Sequence, residues 1–294
     1  MTTETVSHLY RDFDLWGNAK ALEALLEGQA AAIASLKPIL QGLGAAVDAA
    51  APRLRRGGRL IYVGAGTSAR IGVQDGAELF PTFNWPHEQV AFAIAGGEGA
   101  LLRAVENAED SAEEGARRIE ELGAGPDDVV IGIAASGNTP YTVAAIKAAR
   151  ARGALTVGIA NNSEAQLLAA SDHPILLDTG PEIIAGSTRL KAGTAQKAAL
   201  NLFSTMLMVR LGRVYGGLMV HMRPTNAKLR RRGVEMIARI TGCSEEAAAA
   251  AFEKADNDVK LGVLIARGAD KAKAETLLEK HGGNLRQALA EAFG

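Results

Sequence analysis

Two hydrophobic rhythms divide the chain. From Asn18 to Val47, Leu22, Leu25, Leu26, Ile33, Leu36, Ile39, Leu40 and Leu43 recur at steps of three and four residues. That period belongs to one face of a helix and predicts one or two amphipathic helices, broken near Pro38. Another helix is predicted over residues 45–56, while the polar stretch 1–17, with scattered Tyr10, Phe13 and Trp16, reads as an arm. From Arg59 the rhythm changes to short apolar runs without alternation, at 59–64, 89–97, 128–137, 154–161 and 173–178. Runs of that length and composition are strands buried on both faces. Helical stretches are predicted between them, at 68–79, 98–122, 140–152 and 163–171. Strand–helix alternation predicts an α/β fold, a doubly wound parallel sheet of about five strands, with ligands bound at the strands' C-terminal edge.

After residue 197 the pattern turns helical, and the last fifty residues, from Ser244, read as three short helices. No repeat is visible beyond the strand–helix alternation. The expected division is an N-terminal arm with helices over 1–56, a sheet domain over 57–234 and a C-terminal helical subdomain over 235–294.

Composition narrows the function. The 294 residues are 48% hydrophobic and 22% charged, with a net charge of −1. A soluble protein without a basic field is expected, and nucleic acid is not an expected partner. The lone Cys243 excludes an intrachain disulfide and a cysteine-rich zinc site and suits a reducing compartment. The N-terminus lacks the apolar core of a signal peptide, and no run approaches the ~18 apolar residues of a membrane span. The expectation is a cytoplasmic protein without a membrane partner. His8, His87, His173, His221 and His281 show no metal-binding spacing, so no metal is expected.

The candidate chemistry sits in the turns. Gly64-Ala65-Gly66-Thr67-Ser68 joins a strand to a helix, where glycine permits close approach and helix N–H groups can hold an anion. Taken alone, this is either a phosphate cradle or only a capped tight turn. It is not a dinucleotide fingerprint, because no acid ends the following strand at Ala95-Gly96-Gly97. Ser136-Gly137-Asn138-Thr139-Pro140 is a second hydroxyl-rich turn, after the strand at 128–134. Two such turns on one edge suit a sugar phosphate, and the lack of a following lysine argues against a nucleoside triphosphatase. Asp75 and Glu78, three apart, share a helix face beyond the first turn. An acid there stays clear of the phosphate and faces the sugar carbons. A third stretch, residues 180–197, packs Glu182, Ser187, Thr188, Arg189, Lys191, Thr194, Gln196 and Lys197 with little apolar cover. It reads as a ligand-facing loop leading into a helix.

These motifs, "VGAGTSARIGVQDGAELFPTF", "AGGEGALLRAVENAEDS", "GIAASGNTPYT", "GPEIIAGSTRLKAGTAQK" and "TNAKL", resemble the N-acetylmuramic acid 6-phosphate etherases, collinearly from about Gly57 onward. Those enzymes carry a sugar-isomerase (SIS) domain and are related to the glucokinase regulatory proteins. The resemblance implies removal of D-lactate from N-acetylmuramic acid 6-phosphate by elimination and water addition, in cell-wall sugar recycling, without a cofactor. It implies Glu78 and Glu109 as the catalytic carboxylates, with Glu78 donating a proton to lactate and Glu109 acting as base, or the reverse. Gly66, Thr67, Ser68, Ser136, Gly137, Asn138, Thr139, Glu182, Ser187, Thr188, Arg189 and Lys191 are the expected substrate- and phosphate-binding residues. By analogy with SIS domains a homodimer is expected, built on the apolar helices at 18–47 and 198–211. The chain departs from the family's usual residues at Ala69, Asn138 and His221 and in its N-terminal arm. The alternatives are a phosphosugar isomerase on the same fold and a non-enzymatic sugar-phosphate-binding regulator.

Overall fold

A computed structural model describes residues 2–103 and 105–294. The chain divides into two compact units: residues up to Ala77 with Glu88–Ser204, and Glu78–His87 with Thr205–Gly294.

The first unit opens with helices α1 (Asn18–Ala34) and α2 (Leu40–Arg55), separated by a tight turn at Lys37–Ile39 where Pro38 was expected to break the pattern. Its sheet holds β1 (Leu60–Gly64), β2 (Val90–Ile94), β3 (Val129–Ala134), β4 (Leu155–Ala160) and β5 (His173–Leu176). All pair in parallel, in the order β2-β1-β3-β4-β5. The order reverses between β1 and β3, the position at which open α/β sheets bind ligands beyond their strand ends. Every residue of β1, β3 and β4 is buried, which is why these runs show no polar alternation. Ile131 and Ile133 are fully buried, and each contributes on the order of 1.5–3 kcal/mol by leaving water.

Helices α3 (Gly66–Phe83), α4 (Ala112–Glu121), α5 (Pro140–Ala151), α6 (Gln166–Ala170) and the long α7 (Lys191–Arg210) follow. Gly132 of β3 and Gly158 of β4 lie side by side in register. A Cβ on Gly132 would come 2.6 Å from Ile146 of α5, and one on Gly158 would come 2.2 Å from the Ser171 hydroxyl. The glycine pair is therefore the saddle on which the helices sit close to the sheet.

Three expectations need correction. The helix predicted over 98–122 is only α4; before it the chain makes tight turns at Glu98–Leu101 and Ala108–Asp110. Asn107 in the left-handed region (φ 59°) and the Ser111 cap, which accepts from Glu114 N, break the helix there. The stretch Asn18–Arg55 is long and apolar enough to meet a membrane-span criterion of length and hydropathy (1.4), contrary to the sequence reading. In this fold the turn at Pro38 splits it, and α2 buries Leu43, Ala46, Val47, Ala50 and Leu54. The last fifty residues form, among the described residues, four helices rather than three: α9 (Glu245–Lys254), α10 (Val259–Ala266), α11 (Lys271–Lys280) and α12 (Leu285–Phe293), after α8 (Ala227–Thr241).

These helices build the core of the second unit around Met236, Ile237, Phe252, Val263 and Leu264. Arg213 braces its entry segment, donating to the carbonyls of Phe83 (2.9 Å) and Asn84 (2.7 Å) and stacking on Trp85. Burial lowers its pKa to about 10.

An internal duplication is also present. Ser244 caps α9 and Asp270 caps α11. Each helix ends in two left-handed residues, Asp256-Asn257 (φ 51° and 65°) and Gly282-Gly283 (φ 57° and 76°). Asp258 then caps α10 and Asn284 caps α12. Ala248 and Ala274 occupy equivalent, fully buried places. The repeat lies in caps and backbone angles, which chemically different residues satisfy equally well.

Candidate functional site

The turns after β1 and β3 leave adjacent strand ends, since Gly64 of β1 pairs with Ile133 of β3. In the first, Gly66 takes a positive φ of 52° and α3 begins. Ser68 is buried, and its hydroxyl donates to Gln196 Oε1 at 2.9 Å. The direction follows from the far end of the chain of bonds. Asn161 Nδ2 donates to the Leu177 carbonyl (3.0 Å), which can only accept, so Asn161 Oδ1 faces Gln196 Nε2 (3.0 Å). Gln196 Oε1 is thereby turned to Ser68, whose single proton is committed.

The second turn is arranged differently. Ser136 and Thr139 place their hydroxyls 3.5 Å apart, and Ser136 Oγ accepts from Asn138 N at 3.2 Å. Thr139 occupies the N-cap of α5 without a side-chain capping bond. Asn138 Oδ1 accepts from Gln166 N at 3.0 Å, at the start of α6. Asn138 therefore ties the turn to the next helix. Gly137 has φ 66°, and a Cβ there would fall 2.2 Å from Ala165 Cβ, so only glycine fits.

A cavity of about 330 Å³ opens on the other side of β1, at the end of β2. It is lined by Gly66, Thr67 and Arg70 of the first turn and α3, Ala95, and the segment Val105–Glu109. The broken helix makes this possible: the turn at Ala108–Asp110 brings Glu109 to the cavity wall, and Glu109 is exposed. Arg70 donates from Nε to the Leu101 carbonyl (2.8 Å) and from Nη2 to that of Ala100 (3.0 Å). Neither Arg70 nor Glu106, which also lines this cavity, stood out in the sequence. The position of Arg70 in the first turns of a helix after a glycine turn was the available signal.

Glu78 lies on α3, ten residues after Ser68, and is exposed. The face it was expected to share with Asp75 separates in the fold. Asp75 is buried, accepting from Tyr62 OH (2.8 Å), Asn201 Nδ2 (2.7 Å) and Ser204 Oγ (3.0 Å). Burial holds the Asp75 carboxyl above its ordinary pKa, and burial beside Asp75 pushes the Tyr62 hydroxyl well above its own. The cluster fixes α3 to β1 and α7, and the sequence reading missed it.

In the 180–191 loop, fully buried Glu182 accepts from the backbone N–H groups of Lys191 (3.0 Å) and Ala192 (2.9 Å). Its carboxylate thus closes the N-terminus of α7. Lys191 Nζ donates to the Pro181 carbonyl at 3.0 Å, while Arg189 is exposed. Ser187 and Thr188 are half-buried in the turn before α7, and the Thr188 carbonyl accepts from Gly193 N (2.8 Å). The N-terminal arm reaches this loop: Thr3 is fully buried, its carbonyl accepts from Gly186 N (3.0 Å), and its hydroxyl meets Asn162 Nδ2 (3.4 Å). No group of three or more metal-ligating side chains gathers among the described residues.

The five-strand parallel sheet flanked by helices is the α/β fold of the SIS domain. Residues 43–150 match the glucokinase regulatory protein N-terminal SIS domain, and residues 111–206 match the SIS domain. The fold is similar to that of a phosphoheptose isomerase from Francisella tularensis (TM-score 0.50, 19% identity, 66% of this chain and 98% of that chain). An N-acetylmuramic acid 6-phosphate etherase of Deinococcus radiodurans is 51% identical over 290 residues, covering 98% of this chain and 95% of its own. One of Rubrobacter xylanophilus is 44% identical over 294 residues, covering 99% and 96%. The chain belongs to the N-acetylmuramic acid 6-phosphate etherase family.

Proposed function

We infer that this chain cleaves the D-lactyl ether of N-acetylmuramic acid 6-phosphate, releasing D-lactate and N-acetylglucosamine 6-phosphate as a carbon–oxygen lyase. The observation that carries the residue-level reading is the cavity that joins Glu109 to the glycine turn opening α3. The 6-phosphate sits at the turns after β1 and β3, which offer backbone N–H groups and the Ser136 and Thr139 hydroxyls. The sugar then extends past the end of β1 toward Glu109. In the ring-opened aldehyde the carbon-2 proton is acidified by the carbonyl, and Glu109 takes it. Glu78 protonates the ether oxygen as it leaves carbon 3, because an unprotonated alkoxide is a poor leaving group. Water adds to the unsaturated aldehyde at carbon 3, and a proton returns to carbon 2. Two carboxyl groups suffice for both proton transfers, and no cofactor is required.

Residues 57–234 are the sugar-phosphate domain in this reading, with 1–56 and 235–294 flanking it. The protein works in the cytoplasm, in the recycling of cell-wall sugars, as a homodimer. Support for the dimer is the apolar face that α1 leaves exposed, Leu22, Leu26 and Ile33; sedimentation at micromolar concentration tests it.

The reaction is tested by lactate release in deuterated, heavy-oxygen water. Product sugar gains deuterium at carbon 2 and oxygen at carbon 3, and lactate gains neither heavy oxygen nor carbon-bound deuterium. Label in the lactate oxygen refutes the elimination, and absence of lactate refutes the activity. Glu109→Gln is expected to lower turnover at least ~100-fold while the protein stays folded. Near-normal turnover removes Glu109 from the mechanism.

A further inference from the structure

The substrate of the proposed reaction carries two separate anionic groups. A phosphate marks one end, and the lactyl carboxylate hangs from the ether that breaks. The sheet order separates two places for them. The hydroxyl turn after β3 lies on one side of β1, and the cavity holding Glu109 lies on the other, toward β2. With the phosphate at the turns, the sugar's reacting carbons and the lactyl group fall at the cavity.

Among the described residues that line this cavity, Arg70 is the cation. Its guanidinium is already oriented, with Nε on the Leu101 carbonyl and Nη2 on the Ala100 carbonyl. Those bonds use one edge of the planar group. The end carrying Nη1 and the second Nη2 proton keeps a parallel pair of N–H donors, the geometry that grips a carboxylate bidentately. Arg70 makes no ion pair among the described residues, although Glu106 and Glu109 line the same cavity. It is half-buried rather than on open surface, so its charge is less screened than that of a surface arginine.

We infer that Arg70 is the specificity residue for the lactyl carboxylate, resting on the etherase reading above. Anchored by backbone carbonyls, the guanidinium receives the acid end of the lactyl group and holds the ether at the cavity wall that carries Glu109. It also neutralises a charge two bonds from the oxygen that must accept negative character as the bond to carbon 3 breaks. A sugar phosphate without a lactyl acid gains nothing from Arg70, and that difference is what the site reads.

The experiment pairs the protein group with the ligand group. Wild type, Arg70→Gln and Arg70→Lys are each assayed with N-acetylmuramic acid 6-phosphate and with the analogue whose lactyl carboxylate is a primary amide. Inhibition by N-acetylglucosamine 6-phosphate is measured in parallel. A charge-assisted hydrogen bond sets the expected size. Wild type should prefer acid over amide in kcat/KM by ~10–100-fold, and Arg70→Gln should prefer neither, so the two losses do not add. Arg70→Lys should retain part of the preference. Inhibition by N-acetylglucosamine 6-phosphate should change less than about twofold in either variant. Equal loss for substrate and for that inhibitor would make Arg70 a phosphate or loop residue and overturn the proposal. If wild type treats acid and amide alike, the proposal is overturned without any variant, so a misfolded Arg70→Gln cannot shield it. Wild type that releases no lactate at all refutes the etherase reading instead.

Discussion

Helices α5 and α7 both begin on polar, hydroxyl-bearing stretches, and the fold treats their N-termini in opposite ways. At α7 the chain supplies its own anion: Glu182, fully buried, takes the N–H groups of Lys191 and Ala192. At α5 no capping side chain is present among the described residues; Thr139 makes no side-chain capping bond, and its hydroxyl lies 3.5 Å from that of Ser136. A helix N-terminus attracts an anion through its unpaired N–H groups and its dipole. Where a carboxylate is resident, a second anion meets a filled site and a like charge. The loop at 180–191, the densest polar stretch of the sequence, thus uses its buried acid to hold α7. The sparser turn at Ser136–Thr139 has no resident acid, which is why the proposed reading puts the phosphate there.

The largest effect is expected at Gly137. Its positive φ and the 2.2 Å approach to Ala165 Cβ leave no room for a methyl group. Gly137→Ala combines left-handed strain with overpacking and should cost ~3–5 kcal/mol in urea unfolding. Gly66 also has positive φ, but nothing lies within 4 Å of its Cβ position. Gly66→Ala should cost only ~1–2 kcal/mol, the strain alone. Equal costs at the two sites would mean that the second turn is not the tightly packed one.

Next comes the acid itself. Glu182→Ala leaves two backbone N–H groups at a buried helix end without acceptors and should cost ~2–3 kcal/mol. Thr139→Ala removes no capping bond and should stay within about 0.5 kcal/mol of wild type. A large loss for Thr139 and none for Glu182, by thermal or urea unfolding, would reverse the roles given to the two helix ends.

How far such roles were legible in the sequence depends on what kind of signal carries them. The sheet was legible because strands buried on both faces read as unbroken apolar runs, and the turns were legible because glycine and hydroxyls punctuate them. Glu109 was placed on a long helix and lies instead in a turn. Asn107, at φ 59°, looks like an ordinary helix-surface residue, whereas Ser111 and Glu114 have the spacing of a capping box and were the legible sign that the helix starts there. The pairing of Glu182 with α7 was not legible either, since acceptor and donor stand nine positions apart along a loop. Asp75 looked like the twin of Glu78, and only the packing of α3 against Tyr62, Asn201 and Ser204 sets it inward. The duplicated helix pair escaped because Asp256-Asn257 and Gly282-Gly283 satisfy one backbone shape with unrelated chemistry.

Ser68 and Ser136 differ in the same way at the scale of a single hydroxyl. Both lie in turns that read alike in sequence, yet their hydroxyl protons have different destinations. Ser68 donates to Gln196, which donates to Asn161, which donates to the Leu177 carbonyl, so the proton is fixed by a relay that ends on a group unable to donate. A phosphate oxygen only accepts. It can therefore take the Ser68 proton only by displacing Gln196, whose buried oxygen would then lose its donor. Ser136 carries no such obligation: its oxygen accepts from Asn138 N, and its proton is free to turn from Thr139 to a ligand. Ser68→Ala should accordingly lower stability by ~1–2 kcal/mol, the cost of a buried acceptor left unpaired, and change KM by less than ~3-fold. Ser136→Ala should leave stability within about 0.5 kcal/mol and raise KM ~10-fold with kcat nearly unchanged, since a contact to the phosphate anchor acts equally in ground and transition states. Urea unfolding and initial rates on the same two preparations decide it. If Ser68→Ala proves the KM variant and Ser136→Ala the unstable one, the phosphate is held by the first turn, and the relay through Gln196 yields when substrate arrives.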